Sequence, residues 1–372
     1  MKIQINSTLL RDGLNKILSV VDKKNSRPIL TNCLVRAFDG YIELISTDLE
    51  VSAKVLIKAE VDNVGEFCIN TKNIFDIVRE LPDEIILLDI DNEQNLLKLS
   101  CGNIKFSLLI TNTEDYPKLN FNAPTKNQFS ISSENISKII SKTIHSISTD
   151  ETRINLNGIY VQKIGEKLRS VAIDGHRLAL LDIENFNFEN DLLTDGLIIP
   201  KKGILELKRI AETYPEIELN FSVDESFMYI SANEQYFLNI RLIAREYPKY
   251  QTVIPSKTSF SITMEKNILV DAIKRVKLLA NEKTNGIKIN FISNQLVVSA
   301  SHNALGHGEE KIPVEYTGKE MEIGFNAKYI LDTMSVIDAN DITFDFNNEL
   351  SPVIVRSDED NAFLGIVMPL KI

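Results

Sequence analysis

The feature that most constrains this chain is an internal repeat. Phe129 lies 126 residues after Ile3, and Phe260 lies 131 residues after Phe129, each at the start of the same pattern. That pattern is a short alternating strand followed by an amphipathic helix, and the three copies read KIQINSTLLRDGLNKILSVV, QFSISSENISKIISKTIHSI and SFSITMEKNILVDAIKRVKLLA. Three copies of one unit predict three similar domains.

The later features of each third recur in the same order. A hairpin-like pair of strands comes next, then a strand leading into a second helix, then two alternating strands closed by a proline. This predicts an α+β fold with two helices and about eight strands in each third. The polar, proline-bearing stretches NAPTKNQ and VIPSKTS read as linkers, so the predicted domains are 1–126, 127–256 and 257–372.

The first helix of each third has one apolar stripe at helical spacing. The stripes are Leu14, Ile17, Leu18 and Val21; Ile136, Ile139, Ile140 and Ile144; and Leu269, Ile273, Val276 and Leu279. At about 100° per residue, Lys16, Lys138 and Lys142 point away from these stripes. Basic side chains are therefore predicted on the exposed sides of the helices.

The charge is distributed unevenly between helices and the rest of the chain. Six predicted helical segments (7–21, 71–80, 132–147, 201–213, 264–280 and 326–337) contain fifteen Lys or Arg and nine Asp or Glu, a net +6. The whole chain carries -11, so the remainder carries -11 - 6 = -17. Equivalent basic helices in three repeats favour one shared positive surface, which would hold a phosphate backbone without reading bases.

Composition excludes several classes. With 44% hydrophobic and 25% charged residues, the chain is ordinary for a globular protein, and its apolar runs are too short to span a membrane. The N-terminal sequence lacks the apolar core of a signal peptide, so a cytoplasmic protein is expected. Cys33, Cys68 and Cys101 are far apart in strand-like stretches, which predicts reduced, buried thiols.

The stretch AIDGHRLAL has the appearance of an active site, because Asp174, His176 and Arg177 surround a glycine turn. Aligning the hairpins places Thr47-Asp48 and Ser301-His302 at the same position as Ile173-Asp174, which a catalytic residue would not require. No nucleophile spacing such as G-x-S-x-G accompanies His176. The four histidines form one close pair, His302 and His307, so neither a metal site nor a cofactor is predicted.

Over its whole length, the chain resembles the beta subunit of bacterial DNA polymerase III, the replicative sliding clamp. The resemblance rests on the order and spacing of several short motifs: RPILTN at 27–32, STDLE at 46–50, RINLNG at 153–158, AIDGHRLA at 172–179, IIPKKGILEL at 198–207, EYPKY at 246–250, NEK at 281–283, EMEIGFN at 320–326 and the final VMPLKI.

The resemblance implies a fold of three clamp domains per chain, with helices lining the inside and antiparallel sheets forming the outside. Two chains would join head to tail in a six-domain ring around double-stranded DNA. By the same resemblance, the DNA-facing basic residues would be Lys23, Lys24, Lys72, Arg79, Lys105, Lys138, Lys142, Lys201, Lys202 and Lys274. The dimer interface would use Phe106 and Leu108 on one side and Leu278 and Leu279 on the other.

The resemblance also implies partners: the catalytic subunit of the replicative polymerase, the clamp loader and other replication and repair proteins. They would insert short, partly hydrophobic peptides into a groove formed by Leu156, Ile173, Gly175, His176, Arg177, Leu178, Pro248, Thr252, Val253, Asn326, Tyr329, Ile366, Met368, Pro369 and Leu370. Ile173 and Thr252 depart from the common family pattern, as do Ile154, Asn155 and Leu370-Lys371, which predicts a more apolar groove.

Two other functions remain open from the sequence. A hydrolase using Asp174 and His176 would show pH-dependent turnover. A non-ring nucleic-acid-binding scaffold would bind short linear duplexes tightly as a monomer.

Overall fold

The computed structural model describes residues 1–21, 27–91, 93–188 and 191–371. Its helices are α1 (Ser7–Leu18), α2 (Thr71–Arg79), α3 (Ser133–Thr143), α4 (Asp191–Asp195), α5 (Lys201–Thr213), α6 (Lys266–Val276) and α7 (Ala327–Ser335). Six of the seven correspond to the six predicted segments. The first helices end earlier than predicted because a short 3-10 turn follows α3 at Ile144–Ser146 and α6 at Lys277–Leu279.

Local chemistry explains where the helices begin. Asn6 precedes α1 and its side-chain oxygen accepts hydrogen bonds from the backbone N–H groups of Thr8 and Leu9. Asn70 caps α2 and Asn326 caps α7 in the same way. Most residues of the predicted stripes are buried, including Leu14, Ile17 and Ile273, whereas Leu18, Ile144 and Leu279 are half-buried.

The strands form three antiparallel sheets. The first 17 strands are β1 (Lys2–Asn6), β2 (Asn32–Phe38), β3 (Tyr41–Thr47), β4 (Val51–Lys58), β5 (Glu60–Val61), β6 (Gly65–Asn70), β7 (Ile85–Asp91), β8 (Leu96–Cys101), β9 (Ile104–Thr111), β10 (Gln128–Ser132), β11 (Gly158–Ile164), β12 (Lys167–Ile173), β13 (Arg177–Ile183), β14 (Leu197–Pro200), β15 (Glu218–Val223), β16 (Phe227–Ala232) and β17 (Tyr236–Arg241). The last third adds β18 (Phe260–Glu265), β19 (Gly286–Ile292), β20 (Gln295–His302), β21 (Gly306–Pro313), β22 (Met321–Asn326), β23 (Asp341–Phe346), β24 (Val353–Arg356) and β25 (Phe363–Val367).

The chain divides into two compact units. The first comprises Met1–Ile136, Phe188–Leu192 and Lys202–Leu242. Its sheet has 13 strands in the order β10-β15-β16-β17-β4-β3-β2-β6-β9-β8-β7-β1-β5. The pairing of β17 with β4, from Tyr236 opposite Val55 to Ile240 opposite Val51, continues the sheet from the first third of the chain into the second.

The second unit comprises Ser137–Asn187, Leu193–Lys201 and Ile243–Ile372. It contains an eight-stranded sheet, β14-β11-β12-β13-β25-β24-β23-β18, and a four-stranded sheet, β21-β20-β19-β22. β13 pairs with β25 from Arg177 opposite Val367 to Leu181 opposite Phe363, so the second and third thirds also share a continuous sheet.

Several strand edges are open in the described residues, and β9 and β21 provide two of them. β9 pairs fully with β8 but meets β6 only through Ile110 and Thr111, which leaves residues 104–109 unpaired along one side. β21 pairs with β20 alone. Exposed apolar side chains lie on or beside both edges, including Phe106 and Leu109 at the first and Leu305 next to the second.

The cysteine prediction is confirmed: Cys33, Cys68 and Cys101 are buried free thiols. Burial raises the pKa of Cys33 and Cys68 to about 12, so both remain protonated. In the described part of the chain, no helix combines the length and the apolar character needed to cross a bilayer.

Candidate peptide-binding groove and basic surface

The turn that joins β12 to β13 is built around Asp174. One carboxylate oxygen accepts hydrogen bonds from the backbone N–H groups of His176 at 2.8 Å and Arg177 at 2.9 Å, while the other accepts from Nε of Arg177 at 3.1 Å. Gly175 completes the turn at a φ of +92°, where a side chain would be strained. Asp174 is therefore a turn-capping residue.

The same capping recurs in the other repeats, as the hairpin alignment predicts. Asp48 accepts from the N–H groups of Glu50 and Val51 after β3. His302 accepts from the N–H of Ala304 at 3.2 Å after β20, with its imidazole in place of a carboxylate. This shared structural role accounts for the residues that resembled a catalytic cluster.

The apolar part of the groove is a cluster in which β12, β13 and β25 meet the 3-10 segment Tyr250–Val253. Five predicted groove residues belong to it or pack against it: Leu156, Ile173, Leu178, Val253 and Ile366. Tyr247 and Tyr250 are also in the cluster, and the Tyr247 ring stacks on Tyr160 with centroids 4.6 Å apart. These tyrosines were not predicted as groove residues, although two of them lie in the quoted EYPKY motif.

A second part of the groove is aromatic and charged. The Tyr329 ring on α7 lies 4.6 Å from the Arg177 guanidinium carbon and stacks on His176 with centroids 5.8 Å apart. Arg177 also donates to Asp332 at 2.7 Å. Arg177 was predicted at the edge of the groove but is buried, because two carboxylates and an aromatic face surround it.

The C-terminal segment is fixed by backbone hydrogen bonds. The N–H of Met368 donates to the carbonyl of His176, and that of Leu370 to the carbonyl of Gly324, both at 2.8 Å. Pro369 lies between them and is half-buried, as are Met368 and Leu370. Of the remaining predicted groove residues, Pro248 and Thr252 are exposed and Asn326 is the cap of α7.

A polar cavity of about 540 Å³ adjoins His176, Arg177 and Tyr329. Its walls carry both signs of charge, with Arg153, Lys201 and Lys328 against Asp150 and Asp332. His145 also lines it, and neither ring nitrogen has a hydrogen-bond partner among the described residues. Burial lowers the pKa of His145 to about 4, and the nearby Arg177 acts in the same direction.

The residues of the predicted basic surface differ in exposure and in pairing. Lys105, Lys138, Lys201 and Lys274 are exposed, as are Lys72 and Arg79. Lys72 and Arg79 pair with Asp76 on α2, and Lys274 lies 3.7 Å from the carboxylate of Asp271. Lys202 pairs with the buried carboxylate of Asp48. Lys23 and Lys24 lie outside the described residues.

The prediction that Lys142 is exposed on α3 is wrong. Its side chain is 3% exposed, and the ammonium contacts the carboxylates of Asp338 and Asp360 and the carbonyl of Val336. Lys16 is likewise half-buried, because its ammonium donates to the Tyr214 hydroxyl at 2.7 Å. Helical spacing placed both lysines away from their own core, but other elements cover that face.

The described residues contain no cluster of three or more His, Cys, Asp or Glu side chains arranged to hold a metal ion. The candidate site combines apolar, aromatic and charged side chains with the hydrogen-bonded C-terminal segment beside them. Such a groove can hold a peptide by its apolar anchors and orient its polar atoms.

Comparison with known protein families decides the relationship. Family models of the DNA polymerase III beta subunit match the chain three times: the N-terminal domain at residues 1–120, the central domain at 130–249 and the C-terminal domain at 251–371. The chain belongs to the DNA polymerase III beta subunit family. Its three repeats are thus three clamp domains, with mixed α/β structure and antiparallel sheets, and the family is a non-catalytic one.

Individual beta subunits agree with this assignment over their full length. The beta sliding clamp of Caulobacter vibrioides is 30% identical over 378 residues, with 100% of both chains covered. The structure of the Pseudomonas aeruginosa beta subunit covers 100% of both chains at 27% identity and a TM-score of 0.94. A Pseudomonas aeruginosa clamp bound to griselimycin gives a TM-score of 0.92 at 28% identity, again with 100% of both chains covered.

Proposed function

We propose that this chain is a sliding clamp that encircles duplex DNA without sequence specificity and tethers the replicative polymerase, conferring processivity. The observation that carries the proposal is the match of all three repeats, in order and over the full length, to beta-subunit domains. A ring retains DNA by topology, so its inner surface needs only loose electrostatic contact that permits sliding.

The domains of this clamp are 1–126, 127–256 and 257–372. The exposed lysines Lys138, Lys201 and Lys274, one on each of three helices, provide the sequence-independent attraction to phosphates. Lys105 adds to it from β9. Lys72, Arg79, Lys202 and Lys274 each pair with a neighbouring carboxylate, which weakens their attraction to phosphates.

The ring closes by head-to-tail pairing of two copies. The open edge of β9 carries Phe106, which is exposed, and Leu108, which is half-buried. The open edge of β21 is bordered by Leu278, which is 73% exposed, and by Leu279. Pairing β9 of one copy with β21 of the other would satisfy both sets of backbone groups and bury these side chains.

The groove binds short, partly hydrophobic peptides of the polymerase catalytic subunit, the clamp loader and other replication and repair proteins. The buried cluster around Ile173, Leu178 and Ile366 supplies the floor for an apolar anchor, and His176 with Tyr329 supplies a flat aromatic wall. No cofactor, metal ion or membrane takes part. The clamp acts in the cytoplasm, where bacterial chromosomes are replicated.

Sedimentation equilibrium tests the ring directly. The chain has a mass of 42.0 kDa, so a dimer has 2 × 42.0 = 84.0 kDa. Wild-type protein should have the dimer mass, and replacing Leu278 and Leu279 by Asp should yield monomers that remain folded. A monomer mass for the wild type at all concentrations would favour the non-ring scaffold instead.

A further inference from the structure

The first helix of each repeat (α1, α3 and α6) carries a basic residue at the same position. The first residue of α1, α3 and α6 donates its N–H to a carbonyl just beyond the second helix of the same repeat: Ser7 to Glu84, Ser133 to Ile217 and Lys266 to Asn340. These hydrogen bonds fix the register between repeats. Lys16, Lys142 and Arg275 each lie nine residues after that first residue.

In two of the repeats, this cation contacts the end of the second helix of the next repeat. Lys16 on α1 donates to the hydroxyl of Tyr214, which directly follows α5. Lys142 on α3 contacts the carbonyl of Val336, the cap residue of α7, and the carboxylate of Asp338. A cation at a helix C-terminus is stabilised by the unpaired carbonyls there.

The cation of the third repeat, Arg275, contacts no second helix of another repeat among the described residues. The Arg275 side chain is 60% exposed, against 3% for Lys142. Leu278, one turn further along the same face, is 73% exposed. Arg275 does pair with Glu310 through Nε and Nη2, at 2.8 and 2.6 Å, but Nη1 makes no hydrogen bond among the described residues.

The second helix that would come next in a ring is α2 of a second copy. The helix ends at Arg79, whose Nε donates to the Glu80 carboxylate at 3.0 Å, and the residues that follow are acidic, with Glu80 as cap residue and Asp83 and Glu84 just after it. The hydrogen bonds that fix the register make Glu84 equivalent to Asn340, so Glu80 is equivalent to Val336. The Glu80 side chain is 74% exposed.

We propose that Arg275 of one copy donates to the carbonyl and carboxylate oxygens of Glu80 in a second copy, as the intermolecular counterpart of the Lys16 and Lys142 contacts. This inference rests on the proposed head-to-tail dimer and assigns a specific ion pair to it. Arg275, in the last turn of α6, thereby meets the acidic residues that follow α2.

Charge exchange tests the pairing. We expect Arg275→Glu to weaken dimerisation about tenfold or more, because it places two carboxylates together at an interface. Glu80→Arg should weaken it similarly. The double variant should recover to within about threefold of wild type, since each interface then contains the pair in reverse. Sedimentation velocity over a dilution series measures the dissociation constants.

Lys274→Glu is the matched control, with the same charge change one residue away on α6, and it should alter the dissociation constant by less than about twofold. The Arg275→Glu change is repeated in a Glu310→Gln background, which removes the new Glu–Glu contact within the chain. Should Arg275→Glu misfold in a thermal melt, Arg275→Gln replaces it, with a smaller loss of about threefold expected.

The possible results distinguish failure of the proposed ring from failure of the Arg275–Glu80 pair. A wild-type chain that never dimerises would remove the proposed ring itself. A wild-type dimer that Arg275→Glu weakens no more than Lys274→Glu would overturn the Arg275 assignment and leave the ring intact. Two damaging single variants with no recovery in the double variant would contradict the choice of Glu80.

Discussion

The guanidinium of Arg177 donates to the carboxylate of Asp332 over 2.7 Å and thereby ties β13 to α7. Arg177 is 8% exposed and also pairs with Asp174, so two carboxylates balance one buried cation. This pair holds the Tyr329 ring over the guanidinium and fixes one wall of the groove.

Replacing Asp332 by Ala should lower the free energy of unfolding by about 1 to 3 kcal/mol, because it leaves a buried donor of Arg177 without its partner. Urea titration measures the change. Lys328→Ala, at an exposed position on the same helix, is the control and should stay within about 0.5 kcal/mol of wild type. Equal stability of both variants would show that the pair contributes nothing.

Lys142 and Lys138 lie one turn apart on α3 but have opposite roles. Lys142→Met should cost about 3 kcal/mol or more of unfolding free energy, since Asp360 is 7% exposed and would lose its counter-charge. Lys138→Met removes an exposed lysine and should change stability by less than about 0.5 kcal/mol. The same urea titration compares them, and a similar loss in both would contradict the burial of Lys142.

His145 gives stability a pH dependence of known sign. Its pKa is lowered from 6.5 to about 4 in the folded chain, first by burial and then by Arg177, against the opposing effect of Asp332 and Asp174. Between these values the unfolded chain binds a proton that the folded chain does not. The contribution of His145 to the free energy of unfolding is therefore fully present above pH 6.5, and it is lost as the pH falls toward 4.

From pH 7.5 to pH 5 this loss should amount to about 2 kcal/mol. His145→Gln cannot titrate, so its unfolding free energy should fall by about 2 kcal/mol less than that of wild type over the same interval. Urea titrations of both proteins at the two pH values provide the comparison. Parallel losses in the two proteins would rule out His145 as the source.

The groove assignment predicts a specific loss of peptide binding. Tyr329→Ala removes the ring beside His176 and Arg177 and should weaken binding of a short, partly hydrophobic clamp-binding peptide about tenfold or more. Fluorescence anisotropy with a labelled peptide measures the affinity. Tyr41→Ala, which removes an exposed ring on β3, is the control and should leave it unchanged. Undiminished binding in Tyr329→Ala and in a chain lacking residues 368–372 would exclude this groove.

The sequence predicted the elements that depend on local chemistry. All six predicted helical segments contain a helix, and apolar spacing found most of the buried faces of α1, α3 and α6. Comparing repeats argued against a catalytic role for Asp174, whereas its capping of the turn became visible only in the structure.

Contacts between distant segments could not be predicted in this way. Lys142 finds Asp338 and Asp360 at separations of 196 and 218 residues, and helical spacing carries no information about them. The pairing of Arg177 with Asp332 and the burial of His145 likewise depend on how β13, α7 and the turn after α3 come together. Motif resemblance supplied the candidate groove residues, but it did not distinguish buried Arg177 from exposed Thr252.

The most direct test of the central claim is retention on circular DNA before and after linearisation. Wild-type protein loaded by a clamp loader onto a nicked circular duplex should remain bound during gel filtration and be released when one restriction cut opens the circle, because a ring slides off free ends. Equal retention on circular and linear DNA, or tight binding to short linear duplexes without a loader, would contradict a topological clamp.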